Sequence, residues 1–219
     1  MEEDHNGLQL ERIVFFSDAV FAIAITLLII EIKVPHIEYT ASDRDFWFAL
    51  LSMLPKFLGY FFSFFVIGAY WIGHHRIYGY IVRWNYGLIW RNVFFLMAIA
   101  FIPFSTAFMS EYFSRFVPLF VYAMSFSLAG LLQIMQWRYA RKNDLIDEAA
   151  DPEAVAMLGT RMWLLTLVGF VAVGIGLFNP LLAGFGFWLI PIGSWILKAR
   201  HRRKAGRADV IRDELTEQN

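Results

Sequence analysis

The chain has 219 residues, of which 58% are hydrophobic and 18% aromatic. Soluble domains are roughly 45–50% apolar, so this composition excludes a soluble core as the place where so much apolar surface hides. Nineteen basic and nineteen acidic residues cancel to zero net charge, and the absence of cysteine excludes disulfides and thiol chemistry.

Several apolar runs reach the roughly 20 residues that a helix rising about 1.5 Å per residue needs to cross about 30 Å of hydrocarbon. The pattern predicts an all-α membrane protein with six transmembrane helices, at residues 13–32, 46–72, 88–109, 116–137, 162–179 and 181–197. Residues 1–11 read as a polar, acidic tail without the basic start and cleavage site of a secretory signal, so the first span is expected to be retained. Residues 12–198 then form one membrane unit, and residues 199–219 a basic and then polar tail. Short joins at Ser110 to Arg115 and at Asn179-Pro180 make spans three and four, and five and six, antiparallel neighbours. Between spans four and five, the acidic stretch around Ala149 to Ala156 reads as a polar linker with a short surface helix. The chain shows no internal repeat.

The charges are segregated. Fifteen Lys and Arg fall on the side of the two termini, among them Arg12, Arg76, Arg83, Arg91, Arg138 and Arg141, against Lys33, Arg44 and Arg115 on the other. Basic flanks are retained in the cytosol, so both ends are expected there. The tail from Lys198 is expected to attract anionic headgroups. No nucleic-acid partner and no cofactor is expected.

In the first span, Asp18 lies about 9 Å along the helix beyond Arg12, deep enough to need a partner. An ionisable group inside a span is a functional candidate by default, and the plainer alternative is a fixed hydrogen bond between helices. Topology brings the end of span two, with Trp71, His74, His75 and Arg76, and the start of span three, with Arg91 and Asn92, to a similar depth. Ser17 and Asp18 are therefore expected to meet Trp71, His74 or Asn92 at a three-helix junction. With five His in all and no second cluster near His74-His75, a metal enzyme is not supported and no catalytic site is expected. At about 100° per residue, Ile23, Thr26, Leu27 and Ile30 share a stripe with Phe16, Ala19 and Val20, while Asp18 and Ile25 point nearly the other way. Taken alone, such a stripe is ordinary packing or lipid contact. Lys56, after Pro55, is read as snorkelling to the headgroups rather than as a transport group. The glycines of the last two spans suit close helix packing, and no stretch has the form of a carbonyl selectivity filter.

The opening Arg12-x-x-x-Phe16-Ser17-Asp18 resembles the signature of the lysosomal potassium channel family, transmembrane protein 175 and its prokaryotic homologues. Tyr70-Trp71-x-x-His74-His75-Arg76, Leu88-Ile89-Trp90-Arg91-Asn92 and Ile102-Pro103-Phe104-x-Thr106 are similar to that family's second and third spans. The resemblance implies a potassium-permeable cation channel, not an enzyme, in which four six-helix units surround one pore lined by their first helices. A chain with one unit suits a homotetramer in the cell membrane of a prokaryote. In place of a carbonyl filter, the family's constriction is aliphatic and maps here onto Ile23, Leu27 and Ile30, with Thr26 as a hydroxyl at which a potassium ion would sit. Arg12, Phe16, Ser17, Asp18, Trp71, His74 and Asn92 would then form the inner scaffold that aims the first helix. Two rival readings remain: a proton- or ion-coupled transporter using Asp18 and His74, and a membrane scaffold that transports nothing.

Overall fold

The computed structural model describes residues 2–186; within that range the side chains of residues 2–6, 160, 161, 164, 165 and 184–186 are outside the description. The described chain is helical: α1 (Glu2–Ile30), α2 (Asp43–Ser52), α3 (Leu54–Tyr78), α4 (Tyr86–Glu111), α5 (Phe116–Lys142), α6 (Pro152–Gly176) and α7 (Pro180–Gly186). Four helices, Gly7–Ile30, Leu54–Tyr78, Tyr86–Glu111 and Phe116–Lys142, are long and apolar enough to cross a membrane, and Thr166–Gly176 adds a shorter apolar stretch. Helices satisfy their own backbone groups, which lipid cannot do for them. Most of the sixth predicted span, and the tail at residues 199–219, lie outside the described residues.

Helix starts follow from local chemistry. Asn85 caps α4 by accepting the Leu88 N–H at 2.9 Å, and Asp151 caps α6 by accepting the Glu153 N–H at 3.0 Å, with Pro152 in the first turn. The Ser42 amide and hydroxyl both donate to the Asp45 carboxylate, at 3.0 and 2.7 Å, and start α2.

Three boundaries differ from the sequence reading. The predicted second span is two helices, because the chain breaks at Met53 and restarts with Pro55 in the first turn of α3; a proline lacks the N–H that would continue the preceding helix. Of the polar stretch before the fifth span, residues 149–151 form a turn and Pro152 onward is the first part of α6 rather than a separate surface helix. Finally, α1 runs from Glu2 without interruption, so the change at residues 11 and 12 is one of composition, not of secondary structure.

Helix α4 is central: it packs on α5, α1 and α3, and α5 packs in turn on α6. The core divides into two clusters. One, with Phe21, Ala24, Leu28, Val66, Phe95, Ile99 and Phe126, fills the middle of the bundle. The other, with Ile77, Leu88, Trp137, Leu145, Leu158 and Met162, lies at the end where α3 and α5 finish and α4 and α6 begin. There the two connecting segments clasp each other: Val82 N–H donates to the Leu145 carbonyl and Asp147 N–H to that of Tyr80, both at 2.9 Å. An Arg83–Glu148 pair at 2.9 Å joins them outside.

Candidate functional site

A polar junction is assembled from the middle of α1 and the ends of three other helices. Ser17 and Asp18 come from α1, Trp71, His74 and Tyr78 from α3, Asn92 from the second turn of α4, and Gln136 from α5. Each turn of helix places polar side chains three or four residues apart on one face, so Trp71, His74 and Tyr78 look into the same junction.

Asn92 is its hub. Its Nδ2 donates to the Ser17 hydroxyl at 2.9 Å, and its Oδ1 lies 2.9 Å from His74 Nε2 and 3.2 Å from Gln136 Nε2, which donates to it. The Ser17 hydroxyl donates to the Ile13 carbonyl at 2.8 Å, and Gln136 Nε2 also donates to the Tyr78 hydroxyl at 3.0 Å. Ser17, His74 and Gln136 are fully buried, and Asn92 is 2% exposed. Aromatic rings seal them: His74 stacks on Tyr78 and Phe95, and Phe21 of α1 lies 5.8 Å from it. Asp18 stands at the edge, half-buried, and accepts the indole N–H of Trp71 at 2.8 Å. Aspartate and His74 therefore have separate partners rather than each other.

Burial divides α1 into two faces. Ser17, Phe21, Ala24 and Leu28, spaced by four, three and four residues, are buried against α3 and α4. On the other side Ile23 is 58% and Ile30 59% exposed, Leu27 is less so, and Thr26 and Phe16 are also exposed. Val20, predicted on that stripe, is half-buried and packs on the core. The Thr26 hydroxyl lies 3.0 Å from the Ala22 carbonyl and 2.9 Å from that of Ile23 and donates inward along its own helix, which turns its lone pairs toward the open side. Arg12 is exposed, like Phe16, and makes no ion pair among the described residues; the structure brings neither into the junction.

Toward the opposite end a smaller knot ties α3, α4 and α5, with Ser63 Oγ 2.8 Å from Thr106 Oγ1 and 2.9 Å from the Tyr122 hydroxyl. Lys56, read from sequence as a snorkelling side chain, pairs with Glu111 at 2.7 Å across two shallow clefts. No group of His, Asp and Glu suited to a metal is found among the described residues.

Gln136 and Tyr78 were not singled out by sequence reasoning. The signal was present: Gln133 and Gln136 interrupt an apolar run one turn apart, and a polar amide in a span needs a partner as a carboxylate does.

Fold and site together define a multi-pass helical membrane protein whose first long helix is gripped on one face and bare on the other. Residues 12–103 match the model of the family described as endosomal/lysosomal potassium channel TMEM175. A potassium channel of Streptomyces collinus is 36% identical over 75% of this chain and 81% of its own length. One of Chamaesiphon minutus is 37% identical over 66% and 72%. The crystal structure of a Chamaesiphon minutus homologue, described as a potassium-selective channel, superposes with a TM-score of 0.74 at 30% identity, covering 85% of this chain and 97% of that one. The chain belongs to the TMEM175 potassium channel family.

Proposed function

We propose that this protein is one subunit of a potassium-permeable channel, a homotetramer in the cell membrane of a prokaryote. Each subunit contributes six spans with both termini in the cytosol, and the four copies of α1 line the pore. The observation that carries this is the division of α1: its Ser17–Phe21–Ala24–Leu28 face is packed into its own subunit, whereas Ile23, Thr26, Leu27 and Ile30 are exposed among the described residues. Family membership and the relatives named as potassium channels support it.

The mechanism follows from the side chains. Rings of Ile23, Leu27 and Ile30 form a narrow apolar throat that gates by dewetting and penalises an ion by the hydration it must shed. Potassium holds its water more weakly than sodium and loses less. Thr26, with its proton turned inward, offers a ring of oxygen lone pairs where a potassium ion sits partly dehydrated. Ser17, Asp18, Trp71, His74 and Asn92 act as the inner scaffold, with Arg12 and Phe16 of the same motif beside it, and the basic tail rests on anionic headgroups.

The test is potassium and sodium flux from liposomes. Ile23→Ala should raise sodium passage and Thr26→Val should lower the preference for potassium, both in protein that elutes like wild type. Unchanged permeability ratios in both would overturn the pore assignment. A coupled transporter fits less well, because Asp18 and His74 are bonded to Trp71 and Asn92 and form no relay with each other.

A further inference from the structure

We infer that Gln136 of α5 is a positioning residue for the pore helix: its amide decides which way the Asn92 amide faces, and through Asn92 it sets how α1 is held. This rests on the pore reading above and extends it to a helix that lies beyond the residues matching the family model, 12–103.

The argument is one of donors and acceptors. A primary amide has a carbonyl and an NH2 of nearly the same shape, so the neighbours of Asn92 select its orientation. His74 cannot do this alone, because a neutral imidazole presents Nε2 either as a donor or as an acceptor. Ser17 cannot do it either, since a hydroxyl both gives and takes. Gln136, in the orientation observed, turns its NH2 toward both Tyr78 and Asn92, and an NH2 only donates. Placed 3.2 Å from Asn92 Oδ1, it holds the carbonyl of Asn92 toward α5, and the consequences run in sequence. His74 must then donate from Nε2 across 2.9 Å, the Asn92 NH2 must face Ser17 at 2.9 Å, and the Ser17 proton is left for the Ile13 carbonyl at 2.8 Å.

Turning both amides over gives a competing arrangement. Gln136 would then accept the Tyr78 proton, Asn92 would donate to His74 and Gln136, and Ser17 would donate to Asn92, leaving the Ile13 carbonyl with its helical partner alone. The two arrangements hold α1 by different bonds. Burial makes the choice consequential, because no water reaches Ser17, His74 or Gln136 to repair a mismatch. Two acceptors, His74 Nδ1 and Gln136 Oε1, are already without partners, which is the cost of the arrangement observed. Since the Ser17 face and the Ile23–Thr26 face belong to one rigid helix, a change in how Ser17 is held is carried to the open stripe.

The experiment combines histidine ring 15N NMR with flux in the full-length protein, His74 being assigned from a His74→Gln spectrum. Wild type should show His74 protonated at Nε2. Gln136→Glu, which puts an acceptor where the donor stood, and Gln136→Met, which removes it without adding charge, should each move the proton toward Nδ1. They should also alter the potassium-to-sodium permeability ratio by about threefold, the weight of one ordinary interhelical hydrogen bond. Gln133→Met is the control: Gln133 is equally buried on α5 but donates to the Tyr70 carbonyl at 3.1 Å, outside the network, and should leave the His74 signal in place. If Gln136→Glu does not fold, Gln136→Met decides. An unchanged His74 signal in the folded Gln136 variant, or a changed signal with an unchanged ratio, overturns the inference while leaving the pore reading intact. That reading fails separately, if Ile23→Ala and Thr26→Val leave the ratio alone.

Discussion

Asn92 shows how one side chain can bind three helices. It makes hydrogen bonds to Ser17 on α1, His74 on α3 and Gln136 on α5, and interhelical bonds in membranes average about 0.6 kcal/mol each. Asn92→Leu should therefore lower stability by about 2 kcal/mol, read as a fall in the thermal midpoint in detergent; a midpoint equal to wild type would remove Asn92 from the scaffold. Lys56 stands in contrast. Its pair with Glu111 is partly exposed on both sides, and such pairs are worth about 0–1 kcal/mol. Lys56→Gln should leave both the midpoint and the potassium flux close to wild type, and a large loss of flux would return Lys56 to the ion path. The residues that meet at the junction were legible because a carboxylate and a serine inside a span demand partners. Gln136 was overlooked, although an amide interrupting an apolar run needs a partner for the same reason.

Among the elements, α5 and α6 approach closely because glycine allows it. A methyl group on Gly169 would run into the Ser127 hydroxyl and lie 2.7 Å from the Ala123 carbonyl, whereas one on Gly174 would meet nothing within 4 Å. Gly169→Val should cost about 1–3 kcal/mol through overpacking, and Gly174→Ala close to nothing, compared by thermal unfolding of the two variants in one detergent. Equal midpoints would mean that the α5–α6 contact is looser than its geometry. That these spans use glycine for close packing was readable from sequence, but which glycine matters was not: that depends on what stands opposite. The split between α2 and α3 is a similar case. Pro55 was visible, yet a run of apolar residues on both sides of it hid the break at Met53.

For the molecule as a whole, the decisive question is what covers the open face of α1. The chain has no cysteine, so introduced ones report without background. In membranes treated with a mild oxidant, Ile23→Cys should give disulfide-linked dimers between subunits. Ala24→Cys should give none, because Ala24 is 1% exposed and faces its own subunit. Equal cross-linking at both positions, or none at Ile23, would contradict four first helices around a common axis. The proposed arrangement would also give the inner junction its purpose. A pore helix that leaned or rotated would change the throat, so its inward-facing half has to be held by its own subunit.

From the order of residues alone came the lipid solvent, the four described spans to within several residues, the segregation of basic flanks and the meeting of Ser17 and Asp18 with Trp71 and Asn92. These follow from periodicity and from the cost of an unpaired polar group in hydrocarbon, and both are local properties of a helix. The tertiary structure decided the rest: the break before α3, the clasp between the two connecting segments, the Lys56–Glu111 pair and the hold of Gln136 on Asn92. The last three join positions on different elements, and what faces what across two elements is fixed only once they have packed.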